Sequence, residues 1–287
     1  MLATCDTDGV PNVSMISQTH YVDPERVALS YQFFNKTRRN LLATRRASVQ
    51  VVDPETLQQH RLALDYEETQ TSGPLFESMK AKLAGIASHH GIEGVFRLLG
   101  ADIFRVRSIK AVPGPTRPRS ARPRSLLAAT RRACEALDAC TDLEALLDRA
   151  TAVLEAQFGI RHSMVLIVDD TDERLYAVAL HGYRSAGVGA EVQFGEGVIG
   201  VAARERTPIR IGHMIRKHRY GAAIAETARR VGLIDEAPRI IPFPGLAAPR
   251  SQIALPILEG GRLLGDLAAR YDPAGLFVTA ARGPVAA

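Results

Sequence analysis

Apolar and polar residues alternate over short stretches of the first 112 positions, with the two-residue period of β-strands. Turn residues separate these stretches, as in Asp6-Thr7-Asp8-Gly9, where glycine supplies the positive φ of a hairpin turn. Two helices are predicted, Leu75–Ser88 from an apolar stripe at helical spacing and Asn35–Ala43 after a good N-cap residue. Short strands with tight turns favour a small barrel over a sandwich. The predicted strands are Leu2–Cys5, Val13–Tyr21, Val27–Phe34, Ser48–Val52, Gln59–Tyr66 and Ile103–Ile109.

The pattern after residue 125 begins with helices and continues with strands. Ser125–Ala139 predicts the first helix, and Thr141 with Glu144 forms a capping box that starts a second one. The second helix carries an apolar stripe and ends near Gly159. These elements predict an antiparallel sheet with helices on one side. The predicted strands are Met164–Val168, Leu175–Leu180, Pro208–Ile211, Gln252–Leu258 and Leu263–Tyr271.

A connector of different composition separates the two halves. Residues 113–124 contain four prolines and four arginines but no acid, which is typical of a stiff, extended linker. The sequence therefore predicts an α+β chain with a domain at residues 1–112, a linker at 113–124 and a second domain at 125–287.

Composition excludes several classes of protein. The net charge of +5 falls to +1 without the four linker arginines, so no basic face for nucleic acid is expected. No apolar run approaches the roughly 18 residues that cross a bilayer, and no membrane partner is expected. Acids at the N-terminus argue against a signal peptide, and three sparse cysteines suggest a reducing compartment, so the expected location is the cytoplasm.

The start of the predicted helix at Asn35 carries an unusual charge pattern. Lys36, Arg38 and Arg39 fall in its first turn, where the helix dipole disfavours each cation by about 0.3–1 kcal/mol. A bound phosphate would reverse the sign of this effect, because cations and helix-terminal N–H groups would both face it. The pattern predicts an anion site, and the alternative interpretation is a solvated basic turn.

Other motifs give no catalytic assignment. Gly195-Glu196-Gly197-Val198-Ile199-Gly200 matches a dinucleotide fingerprint, but no acid follows at the end of the next strand, so this interpretation is rejected. His89 and His90 are adjacent and diverge on a helix, while His213 and His218 lack partners at ligand spacing, so no metal is expected. The sequence contains no catalytic constellation of its own.

Two motifs relate the first half to a known family. They are Leu-Ala-Thr-Cys-Asp-Thr-Asp-Gly-Val-Pro-Asn-Val-Ser at 2–14 and Asn-Lys-Thr-Arg-Arg-Asn-Leu at 35–41. With them, residues 1–112 resemble the pyridoxamine 5′-phosphate oxidase-like split barrels, which bind FMN. The resemblance implies FMN as cofactor and an obligate homodimer with the flavin at the subunit interface.

The resemblance also implies a set of cofactor-binding residues. The family's phosphate-binding run matches Asn35, Lys36 and Thr37, and we expect Arg38 and Asn40 of the same motif to belong to the site. The strand Ser14-Met15-Ile16-Ser17 is expected to lie along the isoalloxazine ring and ribityl chain. Thr37 replaces the family's second cation and Ser14 replaces an arginine. The residues that bind pyridoxal phosphate are not recognisable, so oxidation of vitamin B6 is not expected.

The second half is similar to a GAF sensory domain. Its motifs are Thr141–Leu147, Glu173–Tyr176, Gly195–Ala202 and Ser251–Ile257 followed by Gly261–Gly265. The resemblance implies a small-molecule ligand, although the signature of cyclic-nucleotide binders is missing and no cysteine has a bilin-attachment context. The family's closing helix is missing or reduced to Val278–Ala287, so we expect a chain that is truncated relative to longer signalling proteins.

These features together predict a dimeric sensor or regulator that couples an FMN split barrel to a small-molecule-sensing GAF domain. The first alternative is a flavin-dependent oxidoreductase of a small molecule, with a regulatory GAF domain. The second is a binding module whose barrel has lost its cofactor.

Overall fold

A computed structural model describes residues 1–32, 35–53, 56–89, 97–118, 126–169, 171, 173–183, 189–212, 230 and 251–271. The chain divides into two compact units. The first holds the described residues up to Leu83 and those at 97–118, and the second holds those at 84–89 and from 126 onward. Predictions for Val278–Ala287, His213, His218 and linker positions 119–124 lie outside the described residues.

The first unit is built on a seven-stranded antiparallel sheet with the order β2-β1-β5-β6-β7-β4-β3. Each predicted strand and helix is present, but Val13–Tyr21 was wrong as one strand, because residues 15–18 leave the ladder and divide it into β2 and β3. The elements are β1 (Leu2–Cys5), β2 (Pro11–Ser14), β3 (Thr19–Tyr21), β4 (Arg26–Tyr31), α1 (Asn35–Thr44), β5 (Arg46–Val52), β6 (Gln59–Gln70), α2 (Pro74–His89, of which residues 84–89 belong to the second unit) and β7 (Gly100–Val112).

The core of this unit shows that the sheet is strongly curved. Side chains from α1 and five strands meet in one buried cluster, and the pairing of β6 with β7 is interrupted by two register shifts that bend both strands. A second cluster joins α2 to the other side of β4 and β7, through Met79, Ala28 and Ile103. The members of the first cluster are Leu2, Leu29, Leu41, Val49, Leu62, Leu64, Tyr66 and Phe104.

The predicted hairpin turn between β1 and β2 is present. Gly9 has a φ of 82°, and the Asp6 carboxylate accepts hydrogen bonds from the backbone N–H groups of Asp8 and Val10 at 3.1 and 2.8 Å. The turn brings β2 to the edge of the sheet beside β1. Residues 113–118 of the predicted linker have no regular secondary structure.

The second unit contains a six-stranded antiparallel sheet with the order β10-β9-β8-β13-β12-β11. Helix α4 packs against it through Leu154 and Phe158, which belong to one apolar cluster with Ala269 and Ile253. The elements are α3 (Leu126–Asp138), α4 (Leu143–Phe158), β8 (His162–Asp169), β9 (Arg174–His181), β10 (Glu191–Gln193), α5 (Gly197–Glu205), β11 (Ile209–Ile211), β12 (Ser251–Glu259) and β13 (Arg262–Tyr271).

The start of α4 corrects the predicted capping box. Asp142, rather than Thr141, is the N-cap, because its backbone is extended and its carboxylate accepts the N–H of Ala145 at 2.8 Å. The predicted C-terminal end is confirmed by Gly159, whose φ of 71° is left-handed. None of the described helices is both long and apolar enough to cross a membrane.

Candidate functional site

The first turn of α1 carries positive charge and no acidic residue. The side chains of Lys36 and Arg39 are exposed, and their spacing of three residues places them on one side of the helix. Within the described residues, neither side chain forms an ion pair. Both cations are therefore available to an anion in solution.

Thr37 points in the opposite direction and is buried. Its hydroxyl accepts a hydrogen bond from the Asn12 amide at 2.8 Å and lies 3.1 Å from the Ser14 hydroxyl. The structure thus brings together two predicted site residues, Ser14 and Thr37, that are far apart in sequence. These contacts join the edge strand β2 to the start of α1.

Arg38 is bound within the protein and does not project beside Lys36. Its guanidinium donates to the Asp102 carboxylate at 2.6 Å and to the Thr69 hydroxyl at 2.9 Å. The same group stacks over the rings of Tyr31 and Tyr66, at 4.6 and 5.6 Å from their centres. Arg38 therefore has four partners in the protein, and its charge is already balanced.

The network around Arg38 is satisfied throughout. Thr69 donates to Asp102 and accepts from Arg38, and its oxygen lies 2.7 Å from the Tyr66 hydroxyl. Burial raises the pKa of Asp102, and the hydrogen bonds from Thr69 and Arg38 act against that rise. Burial is the largest single influence on the pKa of Arg38 and lowers it. The ion pair with Asp102 acts in the other direction, and the pKa of Arg38 is raised overall. A small pocket beside this network is lined by Ser30, Tyr31, Thr37, Arg38 and Asp102, together with apolar core residues.

The predicted ring-binding segment, Ser14–Ser17, has mixed orientations. Met15 is 58% exposed, whereas Ile16 packs against the apolar core of the unit. Ser17 donates to the side-chain oxygen of Gln32 at 3.1 Å. Met15 is consequently the side chain of this segment that a ligand would meet first.

Asn40 is buried and connects α1 to β1. Its side-chain amide donates to the Thr4 hydroxyl at 3.4 Å, and its backbone carbonyl accepts from the Thr44 hydroxyl, one helical turn later, at 2.9 Å. These contacts hold the helix in place and do not face the first turn. For Asn35, the structure fixes the start of the helix at the predicted position.

The second unit contains a polar group that the sequence interpretation missed. Asp266 and Arg270 on β13 and Gln252 on β12 are at most 2% exposed. Burial raises the pKa of Asp266 to about 7 and lowers the pKa of Arg270 to about 9. The signal was present in the sequence, because two charged residues four positions apart interrupt an otherwise apolar strand and share one face.

Comparison with protein families identifies the second half of the chain. Residues 140–281 match the family model of the GAF domain, and this part of the chain is a GAF domain. The match supports a sensory or regulatory role. The predicted mixed α+β architecture is confirmed, because each unit contains an antiparallel sheet together with helices. None of the curated proteins matches the chain.

Solved structures are similar to parts of the chain. A GAF domain of a phosphoenolpyruvate-protein phosphotransferase from Acinetobacter is 15% identical over 52% of this chain and 78% of that chain, with a TM-score of 0.41. An FMN-binding protein from Syntrophomonas wolfei is 19% identical over 39% of this chain and 75% of that chain, with a TM-score of 0.33. HupZ from Group A Streptococcus is 25% identical over 42% of this chain and 88% of that chain, with a TM-score of 0.32.

Proposed function

We propose that the N-terminal unit binds FMN and that the GAF domain couples this flavin site to a small-molecule signal. The observation that carries the proposal is the start of α1, where exposed cations and helix N–H groups occur together without an acid. Such a helix end attracts a phosphate group. The resemblance of the segments 2–14 and 35–41 to flavin-binding split barrels supports FMN as the phosphate-bearing molecule.

The FMN phosphate would contact the backbone N–H groups that follow Asn35, with Lys36 as its main cation. Arg39 lies beside Lys36 and adds to the local positive potential. Thr37, through its contacts with Asn12 and Ser14, would fix the distance between the helix and the edge strand. These residues bind and orient the phosphate and perform no chemistry on it.

Arg38 and Asn40 would hold α1 in place without contacting the phosphate. The ion pair between Arg38 and Asp102 anchors the first turn of α1 to β7, and Asn40 anchors the next turn to β1. A rigid helix start preserves the geometry that a phosphate needs. We therefore place Arg38 in the site as a positioning residue, one step removed from the ligand.

The flavin ring would lie along Ser14–Ser17 at the edge of the sheet, and bound FMN would supply whatever redox chemistry the unit performs. Met15, at 58% exposure, would contact the ring. Val13, on the adjacent edge strand β2, is 62% exposed, and an edge strand offers unpaired backbone groups to a further chain. A second copy of the chain that packs on this edge would form the homodimer and cover the flavin.

A titration with two flavins tests the proposal. Riboflavin lacks the phosphate of FMN, so the proposed contact predicts that Lys36→Ala weakens FMN binding about tenfold and leaves riboflavin binding unchanged. Flavin fluorescence and visible absorbance measure both affinities. Arg61→Ala is the matched control, because Arg61 is an exposed cation on β6 and outside α1. Equal affinity of the wild type for both flavins, or no affinity for either, would contradict the proposal.

Anaerobic addition of NAD(P)H to the FMN complex separates the sensor from the oxidoreductase alternative. A flavin that keeps its oxidised spectrum supports the sensor. Rapid bleaching of the flavin absorbance would favour the oxidoreductase with a regulatory GAF domain.

A further inference from the structure

Helix α2 contributes residues to both compact units of the chain. Its residues up to Leu83 belong to the first unit, where Met79 is fully buried in an apolar cluster with Ala28 and Ile103. Its residues 84–89 belong to the second unit, although the family match to the GAF domain begins only at residue 140. The GAF unit therefore includes a short helical segment from outside its own stretch of sequence.

Helix α5 of the GAF unit begins without a side-chain cap of its own. Glu196 occupies the N-cap position, but its carboxylate accepts the backbone N–H of Gln193 and caps no N–H of the helix. The cap is supplied by Ser88 of α2, whose hydroxyl accepts the N–H of Gly197 at 2.8 Å. The same hydroxyl donates to the backbone carbonyl of Gly195 at 2.9 Å. Ser88 is 0% exposed, so water does not compete for either hydrogen bond.

Two glycines permit the close packing around this cap. A Cβ atom on Gly85 of α2 would lie only 3.3 Å from the side chain of Ile209. A Cβ atom on Gly200 would lie 2.0 Å from the backbone carbonyl oxygen of Gln193, so a larger residue cannot occupy that position without a shift of the backbone. The glycine-rich segment 195–200, which matched a dinucleotide fingerprint, is thus a tightly packed helix start that is held by Ser88.

The part of α2 in the first unit is connected to the predicted ring-binding segment. Gln18 directly follows Ser17, the last residue of that segment. Its side-chain amide donates to the backbone carbonyl of Met79 at 3.1 Å, and its backbone N–H donates to the Ser30 hydroxyl at 3.1 Å. Gln18 is buried, so these bonds are protected from water. A ligand that orders Ser14–Ser17 would therefore also act on α2.

We propose that α2 couples the flavin site to the GAF domain, and that Ser88 is the positioning residue through which α2 acts on α5. The inference rests on the proposed function and adds the route of its regulation. Met79 and Ser88 lie on one helix, whose backbone is hydrogen-bonded at every turn, so a displacement at one is passed to the other. Flavin binding that steadies Gln18 and Met79 would steady the cap on Gly197.

Hydrogen–deuterium exchange of the full chain, with and without saturating FMN, tests the coupling. In the wild type, FMN is expected to protect the first turn of α1 and to slow exchange of the segment 195–203 about fivefold. Ser88→Ala should make this segment exchange about fivefold faster without ligand, because a helix cap is lost. In the same variant FMN should still protect α1 but should no longer slow the segment. Ser78→Ala, on the part of α2 in the first unit, is the matched control and should keep both responses.

Each other result overturns the inference, and the wild-type measurement needs no variant that must fold. If FMN protects α1 and leaves the segment 195–203 unchanged, the coupling is rejected and flavin binding stands. Slowing that extends equally to α4 would indicate general stabilisation and also reject a route through α2. If Ser88→Ala keeps the full response of the segment to FMN, Ser88 is only a structural cap. If FMN does not bind, the proposed function is rejected, and the coupling is rejected with it.

Discussion

The two units each bury an arginine and an aspartate, and they arrange them in opposite ways. In the first unit the Arg38 and Asp102 side chains meet at 2.6 Å, with 19% and 9% of their surface exposed. In the second unit Asp266 has no hydrogen-bond partner in the described residues, and Arg270 lies four residues away on the same strand. Removing one partner of a completed buried pair is destabilising, whereas a buried carboxylate without a partner disfavours its own ionisation.

The partners of these charged residues determine what each can do in its unit. Arg38, which was expected to belong to the flavin site, donates to Asp102 and Thr69 instead. In the proposed function it positions the start of α1, while Lys36 and the helix N–H groups contact the phosphate. Asp266 of the GAF sheet, which the sequence interpretation missed, is the buried acid for which the described residues provide no hydrogen-bond partner. Partners, rather than residue types, distinguish a positioning residue from a binding one.

The largest effect is expected from breaking the completed pair. Arg38→Ala leaves Asp102 buried with only Thr69 as a partner, and should destabilise the first unit by about 3 kcal/mol. Urea denaturation, with the transitions of the two units fitted separately, measures the change. Arg39→Ala removes an exposed neighbouring cation and should change stability by less than about 0.5 kcal/mol.

A double variant sharpens this result. Arg38→Met combined with Asp102→Leu removes both charges, and should recover most of the lost stability. If Arg38→Ala is as stable as the wild type, the ion pair is not what holds the start of α1.

Mutation of Asp266 should change stability in the opposite direction. The folded-state pKa of Asp266, about 7, lies above its unfolded value of 3.8, so ionisation disfavours the folded state. Wild-type stability should therefore fall as the pH rises from about 4 towards 7, whereas Asp266→Asn lacks this loss. The variant should gain on the order of 2–3 kcal/mol relative to the wild type between pH 5 and pH 8.

Denaturation at the two pH values measures this gain in the absence of ligand. Asp148→Asn, which changes an exposed acid on α4, is the control and should show no such gain. If the stability of the wild type and of Asp266→Asn changes with pH in the same way, Asp266 is solvated in the folded protein. The contrast between the units would then disappear.

The smallest effect tests how complete the network of the first unit is. Tyr66→Phe deletes the hydroxyl that lies 2.7 Å from Thr69 and should cost about 1 kcal/mol. Tyr21→Phe, at a 44% exposed tyrosine on the edge strand β3, serves as the comparison and should be neutral. If Tyr66→Phe does not change stability, the hydrogen bond of the Tyr66 hydroxyl contributes no more to the folded state than a hydrogen bond to water does in the unfolded state.

Most elements of the fold could be predicted from sequence because their patterns are local. The apolar stripe of Leu75–Ser88 marks α2 within one residue at each end, and Leu2–Cys5 marks β1. The strand β10 was missed, since its three residues contain only one apolar side chain, Val192. The N-cap at Asp142 was assigned to Thr141, because both residue types cap helices and only the backbone geometry separates them.

The site was harder to predict because its contacts are not local. Sequence identifies Lys36 and Arg38 as cations at a helix start, but the partner of Arg38 is Asp102, which lies on another strand 64 positions later. Only the paired sheet brings β7 beside β4 and thereby fixes which cation turns inward. The sequence shows that Asp266 is a charged residue in an apolar strand, whereas its lack of a hydrogen-bond partner among the described residues is visible only in the structure.

The most direct test of the account is a crystal structure of the full chain grown with saturating FMN. Phosphate density is expected at the first turn of α1, within hydrogen-bond distance of the backbone N–H groups and of Lys36, with the ring along Ser14–Ser17. Arg38 should remain on Asp102 in that structure. A first turn that is empty or only hydrated, or a flavin bound elsewhere, would contradict the account.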